Sequence, residues 1–203
     1  MTEQDINTEE KILLAATEVF IKKGKDAARM QEIADEAGIN KALLHYYYRS
    51  KEKLFEAVFH VVVKQLVLPK VIKTLEEEEN MFELIRKFCN FYIDLLIKNP
   101  FIPLFIIEEL NKNPQWFSNT LIKAGIPIDK AICKLEDAME NGKIRKMDPR
   151  HIMVNLVSLS VFPFAAREII RPVMFANDKK HFKQFLESRK AEVADFIINA
   201  IKL

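Results

Sequence analysis

The stretch GINKALLHYYYRSKEKL, residues 38–54, has the form of a turn followed by a short basic helix. Its first residue is a glycine, which can adopt the left-handed backbone conformation of a tight turn at little cost. Asn40 is a good N-cap for the helix that follows. That helix would place Leu44 and Tyr48, which are four residues apart, on one core-facing side. Together with the helical stretch before it, the pattern predicts two short helices packed across a turn at about residues 29–48.

The outer side of this second helix is predicted to be basic and aromatic. No acidic residue lies between Glu36 and Glu52, although the whole chain of 203 residues has a net charge of only +2. Tyr46, Tyr47 and Tyr48 spread over roughly 200° of a helix, so they cannot all face one core. The alternative interpretation, plain helix-packing aromatics, is expected to hold for Tyr48 but not for both of the others. Cations and phenol groups together favour a polyanion, because both donate to phosphate oxygens.

The rest of the chain is predicted to be helical throughout. Apolar residues make up 49% of the chain, which is enough for a core, and only four residues are glycine. Apolar positions recur at helical spacing and nowhere alternate as in a strand. The expected fold is all-α with about nine helices, arranged as a three-helix N-terminal domain (1–50) and a larger helical domain (51–203). Cys89 and Cys133 have no metal or redox spacing, and both are expected to be reduced core residues.

Several classes of protein are disfavoured by the sequence. The polar, acidic start MTEQDINTEEK is unlike a secretory signal, and the apolar stretches are interrupted well short of ~18 residues, so we expect a cytoplasmic protein without a membrane span. The four histidines lie in separate predicted helices, and neither an HExxH motif nor a glycine-rich phosphate loop occurs. The sequence therefore predicts no enzyme, no metal site and no cofactor.

Two adjoining stretches carry a family resemblance. KILLAATEVFIKKGKDAARMQE (11–32) and IADEAGINKALLHYYYRSKEKLFEAV (33–58) resemble, without gaps in spacing, the N-terminal domain of the TetR family of bacterial repressors. The resemblance covers residues 9 to about 58, and beyond them it extends only to helix number and length. It implies a helix-turn-helix at 29–48 whose second helix enters the major groove of DNA.

The resemblance also implies a set of DNA contacts. Lys41, Ala42 and Leu43 would lie in the major groove, whereas Tyr47 and Lys51 would touch phosphates. The complete predicted set is Arg29, Gln31, Asn40, Lys41, Ala42, Leu43, His45, Tyr46, Tyr47 and Lys51.

This chain departs from the family pattern at two places. Arg29 stands where the family usually has a threonine or serine that caps the helix and meets a phosphate; arginine can reach a phosphate but cannot cap. Ala42 and Leu43 replace a glycine and a small polar residue, and Leu43 can contact only apolar groups such as a thymine methyl. Sequence preference should therefore rest on Lys41, Tyr46 and DNA shape more than on many base hydrogen bonds.

One copy of such a module offers few base contacts, so a two-fold dimer that reads a palindromic operator is expected, with half-sites ~34 Å apart. The predicted dimer surface is formed by helices at about 149–170 and 178–202. The sequence of the first has apolar residues on more than one face, and such a helix must be covered on both sides. The alternative is a helix at the centre of its own domain.

The larger domain is also expected to hold an effector pocket. Most of its aromatic residues are equally compatible with an ordinary core, but some can line a cavity between helices, and the resemblance implies a small effector there. The aromatic content favours an apolar or aromatic compound, with Asn155 as a buried polar group. An alternative is a DNA-bound interaction protein whose larger domain meets a protein partner and admits no effector. The predicted pocket residues are Phe88, Phe91, Tyr92, Phe105, Trp116, Phe117 and Asn155.

Overall fold

The computed structural model describes residues 3–61, 64, 67–99 and 102–203. Within the helices, the side chains of residues 3–6, 21, 104, 105, 108 and 109 lie outside this description. The described residues form α-helices joined by turns and short connections, and no strand occurs among them. The prediction of an all-α fold with an N-terminal helix-turn-helix and a C-terminal helical domain is confirmed.

Twelve α-helices are found in the described part of the chain, rather than about nine. They are α1 (Glu3–Ala27), α2 (Met30–Glu36), α3 (Lys41–Tyr47), α4 (Lys51–Val61), α5 (Leu68–Glu77), α6 (Met81–Lys98), α7 (Ile102–Lys112), α8 (Pro114–Ala124), α9 (Ile128–Glu140), α10 (Pro149–Ala165), α11 (Arg167–Phe175) and α12 (Lys179–Ile201). The number is higher in part because the helix predicted at 149–170 is divided between α10 and α11. The turn at Gly125, with φ at +76°, separates α8 from α9, and Ala166 separates α10 from α11.

Helix α1 begins at Glu3. Its regular part ends at Gly24, whose φ of 76° and ψ of 165° break the helix. A glycine is suited to this break because a side chain at positive φ would be strained.

By packing, the chain divides into two compact units, Met1–Val67 with Phe105–Ala124 and Leu68–Leu104 with Gly125–Leu203. In the first unit, α4 places Leu54, Phe55 and Val58 in the same core as α1, α2 and α3. The rings of Phe20 and Phe55 meet edge to face with centroids 5.0 Å apart. The packing boundary therefore differs from the predicted one at residue 50, because α4 completes the N-terminal core.

The second unit has its own core, in which α6 packs against α10 and α12. Ile93, Ile152 and Val193 are nearly inaccessible at its centre. Cys89 is also buried there, and burial raises the pKa of its thiol to about 11. Cys133 is exposed, so the expectation that both cysteines belong to the core holds only for Cys89. Cys133 lies on the solvent side of α9, whereas Leu135 and Met139 lie on the buried side of the same helix.

No single helix in the described ranges is both long and apolar enough to cross a membrane. Helices α10 and α11 reach the necessary length and composition only when taken together, and they are bent by 73° at the break between them.

Candidate nucleic-acid interface

Helix α3 is positioned by the turn chemistry that its sequence predicts. Gly38 has φ at +69°, the left-handed conformation expected for the turn. The Asn40 side chain then accepts a hydrogen bond from the Leu43 backbone N–H at 2.8 Å and so caps the helix. Leu44 is fully buried against the core that contains Ile33, which holds α3 across α2. Local turn and cap geometry together with one buried leucine fix the orientation of α3.

The outer side of α3 is exposed as predicted. Lys41, Ala42 and His45 are exposed, and Tyr46 has 80% of its surface accessible. Leu43 is half-buried. Helix α3 contains no carboxylate. Its polar side chains are an ammonium, an imidazole and two phenols, and each of these groups can donate a hydrogen bond.

The three adjacent tyrosines have different environments. Tyr46 is exposed, whereas Tyr47 is half-buried and packs against the first core while meeting the Tyr46 ring edge to face at 5.6 Å. Tyr48 is buried, as predicted, and its hydroxyl donates to a Glu9 carboxylate oxygen at 2.9 Å. Burial and this hydrogen bond raise the pKa of the Tyr48 phenol above its ordinary value. Tyr48 therefore ties α3 to α1, and Tyr46 is left on the outer surface.

Arg29 is the N-cap residue of α2, and its side chain does not cap the helix because a guanidinium has no hydrogen-bond acceptor. The Glu32 carboxylate reaches back and accepts from the Arg29 backbone N–H at 3.4 Å, the acidic half of a capping box. Glu32 also pairs with Lys23 at 3.1 Å, and the hydrogen bond from Lys23 is the main cause of its lowered pKa. Arg29 itself is exposed beside this cap, and Gln31 donates to Asp35 at 2.8 Å on the helix surface.

Lys51 has a structural contact that sequence reasoning missed. Its ammonium donates to the backbone carbonyls of Asp26 at 3.0 Å and Ala28 at 3.1 Å, where the chain leaves α1. The Asp26 carboxylate is in turn bonded to Lys112 at 2.6 Å, which is the main cause of its lowered pKa, with Lys51 and Lys25 adding to it. No local sequence signal marks this contact, because its partners lie more than twenty residues away. A phosphate contact by Lys51 stays a prediction and would use the remaining ammonium hydrogen.

The predicted pocket residues are distributed over both units. Phe88, Phe91, Tyr92 and Asn155 belong to the second unit, and Trp116 and Phe117 to the first. The side chain of Phe105 lies outside the described residues. No group of three or more His, Cys, Asp or Glu side chains within the described ranges is arranged to hold a metal ion.

In the second unit, two of the aromatic residues form a stacked pair. Phe88 and Tyr92 have ring centroids 5.3 Å apart and pack against the second core, where burial raises the pKa of the Tyr92 phenol to about 12. Phe91 is half-buried, with the Lys70 ammonium 5.0 Å from its ring centroid. Asn155 is exposed, so the expectation that it is buried is wrong. It lies on the outer side of α10, whose buried side is formed by residues such as Leu156.

In the first unit, Trp116 and Phe117 pack on α4. The Phe59 ring lies 5.7 Å from Trp116 and 5.2 Å from Phe117, measured between centroids. Phe117 is buried, and Trp116 also contacts the core of the helix-turn-helix. These aromatic residues attach α8 to the N-terminal core, and a role in ligand binding stays a prediction.

Residues 12–58, which form most of α1 and all of α2, α3 and the greater part of α4, match the family model described as bacterial regulatory proteins of the tetR family. Over these residues the chain is similar to the TetR family. The prediction made from the spacing of Gly24, Gly38 and the α3 residues is thereby confirmed. The matched range begins at Ile12 and ends at Val58, which are the first and last buried residues of the first core.

Curated relatives of this chain are transcriptional regulators. The regulator RutR of Escherichia coli K12 is 27% identical over 143 residues, which is 70% of this chain and 66% of RutR. The activator FasR of Mycolicibacterium smegmatis is 46% identical over 56 residues, which is 28% of this chain and 26% of FasR. The chain thus spans no more than about two thirds of the length of these relatives.

A solved structure shows that the likeness in fold extends beyond residues 12–58. The regulator FadR of Bacillus subtilis, crystallised with stearoyl-CoA, has a TM-score of 0.71 to this chain at 16% sequence identity. The superposition covers 93% of this chain and 97% of FadR. At this level of identity the likeness establishes the fold and nothing more specific.

Proposed function

We propose that the protein is a sequence-specific DNA-binding regulator that acts as a homodimer, and that it is a repressor released from its operator by a small effector. The observation that carries this proposal is the outer side of α3, where Lys41, His45 and Tyr46 are exposed on a helix without carboxylates. An α-helix fits the major groove, and donors on its exposed side meet base edges and phosphates. Because its target is chromosomal DNA, we place the protein in the cytoplasm.

The predicted DNA-contacting residues divide into base-reading and phosphate-binding groups. Lys41 donates to guanine acceptors, and the methyl group of Ala42 fits against a thymine methyl. Leu43 is half-buried, so it offers less surface to the groove than Lys41 does. Arg29 and Tyr47 contact phosphates, which set position and orientation without reading sequence. With so few base hydrogen bonds, part of the preference comes from DNA shape.

Exposed apolar side chains support the proposed dimer. On α10, Val154 is 64% and Phe162 is 64% accessible, and on α12 Phe196 is 65% accessible. Both helices bury their opposite sides in the core of the second unit. Large apolar side chains left accessible on two helices are candidates for an interaction site, and a two-fold dimer would cover them. These are the helices predicted for dimerisation at 149–170 and 178–202.

An effector would act by preferring one of two dimer geometries. Binding that favours a geometry in which the two α3 helices no longer match successive grooves releases DNA by differential affinity. FadR, which has a similar fold, was crystallised in complex with stearoyl-CoA, and this supports an effector with an apolar part. For this chain we propose a small apolar or aromatic effector near Phe88, Phe91 and Tyr92, whose rings are half-buried in the second unit.

Replacing Lys41 by alanine is expected to change sequence preference as well as affinity. Lys41 is exposed at the first position of α3, and loss of a donor to one base should weaken operator binding by about 1–3 kcal/mol. If Lys41 reads a base, the preferred base at that operator position should also change. Both quantities are measured by fluorescence anisotropy over a series of duplexes.

Lys146→Ala is the matched control, because it removes the same charge from an exposed position in the second unit that lies outside the helices proposed for dimerisation. It should keep the parent's operator affinity and preference. An unchanged operator preference in the Lys41 variant would remove this residue from the base-reading set.

A further inference from the structure

A cleft in the second unit combines cationic and apolar walls. Its volume is about 320 Å³, and its walls come from the end of α6, the end of α10, α11 and the start of α12. Ligand sites in proteins are typically ~300–1,000 Å³, so this volume suits a small ligand. The lining residues are Ile97, Phe164, Arg167, Glu168, Arg171, Lys179, Phe182, Lys183 and Leu186. None of them belongs to the predicted effector pocket near Phe88.

Cationic side chains outnumber anionic ones four to one in this cleft. The single carboxylate, Glu168, lies 3.1 Å from the Arg167 guanidinium and 3.2 Å from that of Arg171. Lys179 and Lys183 are exposed on the facing helix. One carboxylate cannot balance four cations, so the walls carry a positive excess that favours an anion.

Arg171 contributes a donor that has no acceptor within the described part of the chain. This donor is its Nε atom, which is buried. A buried N–H without an acceptor is unfavourable, and guanidinium groups bind carboxylates and phosphates through paired N–H donors. The Arg171 side chain is 28% exposed, so its other donors are accessible from the cleft.

The remaining wall is apolar. Phe164 is 1% and Phe182 is 7% accessible overall, so these rings are fixed in the core, and only small parts of them face the cleft. Ile97 and Leu186 are half-buried and extend the same wall. A ligand that is only an anion would leave this wall unused, and a neutral apolar ligand would make no use of the positive charge of the cleft.

We propose that this cleft binds a small anionic amphiphile, an organic acid whose carboxylate or phosphate group is joined to a short apolar chain. The anionic group is held by Arg171 and Lys183, and the chain lies against Phe182 and Leu186. This site is additional to the proposed aromatic effector pocket and does not depend on DNA binding.

The test is isothermal titration calorimetry of the full chain at low salt with four probes. Octanoate and octyl phosphate carry both parts of the ligand, 1-octanol carries only the chain, and inorganic phosphate carries only the anion. We expect at least one amphiphile to bind about tenfold or more tightly than either single-part probe, because only it uses both walls. The stronger of the two amphiphiles identifies the anionic group. Octanol binding as tightly as both amphiphiles, or no heat from either amphiphile, would overturn the proposal.

Variants locate the site. Arg171→Gln and Lys183→Gln should each weaken amphiphile binding by about tenfold, the loss expected for one charge-assisted contact. Lys183 is exposed, so its variant carries the test even if Arg171→Gln does not fold. Lys180→Gln, exposed on the same helix but outside the lining, is the matched control and should bind as the parent does. Equal affinity in the parent and both cleft variants would place the ligand elsewhere and overturn the assignment. No DNA is present, so failure here leaves the proposed regulatory function untouched.

Discussion

A protein with both Phe162→Asp and Phe196→Asp is expected to be monomeric and to bind its operator more than about 100-fold more weakly than the parent. The two rings are 64% and 65% accessible on α10 and α12, so the substitutions cost the folded subunit little. In a dimer contact, each new carboxylate would be buried without a partner, which is strongly unfavourable. A monomer reads one half-site, and its affinity should approach the non-specific range of ~10⁻⁴–10⁻⁶ M.

The experiment combines analytical ultracentrifugation with operator binding in the same buffer. Ile122→Asp is the matched control, since it places a carboxylate on an apolar residue that is 76% accessible but lies on α8, outside the proposed interface. The control should stay dimeric and bind as the parent does. A dimer that survives both phenylalanine substitutions would show that α10 and α12 do not form the interface.

The second large effect is expected in the helix-turn-helix core. Leu44 is fully buried where α3 crosses α2, and Leu44→Ala should lower the free energy of unfolding of the first unit by ~2–5 kcal/mol. The loss combines the buried surface removed with the cavity left behind. Leu14→Ala is the control, because Leu14 is 68% accessible on α1 and its truncation should change stability by less than ~0.5 kcal/mol.

Trp116 makes this unfolding measurable on the intact chain. It is the only tryptophan in the sequence and packs against the first core, so its fluorescence reports that unit during urea unfolding. The midpoint of the Leu44 variant should move to clearly lower urea with an unchanged slope. If the Leu44 and Leu14 variants unfolded at the same urea concentration, Leu44 would not hold α3 in place.

The helix-turn-helix was predictable because its determinants are local. The positive φ of Gly38, the cap from Asn40 and the four-residue interval between Leu44 and Tyr48 each depend only on neighbouring residues. The same holds for the exposure of Tyr46, since adjacent helical residues point in different directions. Local chemistry therefore yields the exposed side of α3 directly from the sequence.

Features that depend on tertiary packing were missed. The family resemblance predicts that Lys51 touches a phosphate. In the structure its ammonium donates hydrogen bonds to the backbone carbonyls of Asp26 and Ala28, which only the fold brings near. Asn155 was expected to be buried because its helix is apolar on several faces, but it lies on the face that the single chain leaves exposed. Periodicity does not show which apolar face of a helix its own domain covers.

The sequence indicates the cationic cleft only weakly. Arg167 and Arg171 are four residues apart, as are Lys179 and Lys183, so each pair lies on one side of its helix. Such pairs are common on solvated helices and do not by themselves indicate a site. The fold adds the decisive information by placing both pairs around Phe164 and Phe182.

The central claim is that two identical subunits place their α3 helices in successive major grooves of one duplex. Selection of bound fragments from random double-stranded DNA tests this most directly, because one sequence pattern reports symmetry and spacing together. The account predicts an enriched inverted repeat with half-sites separated by a whole number of helical turns, each ~10 base pairs. An enriched single half-site without a symmetric partner, or no enrichment at all, would contradict it.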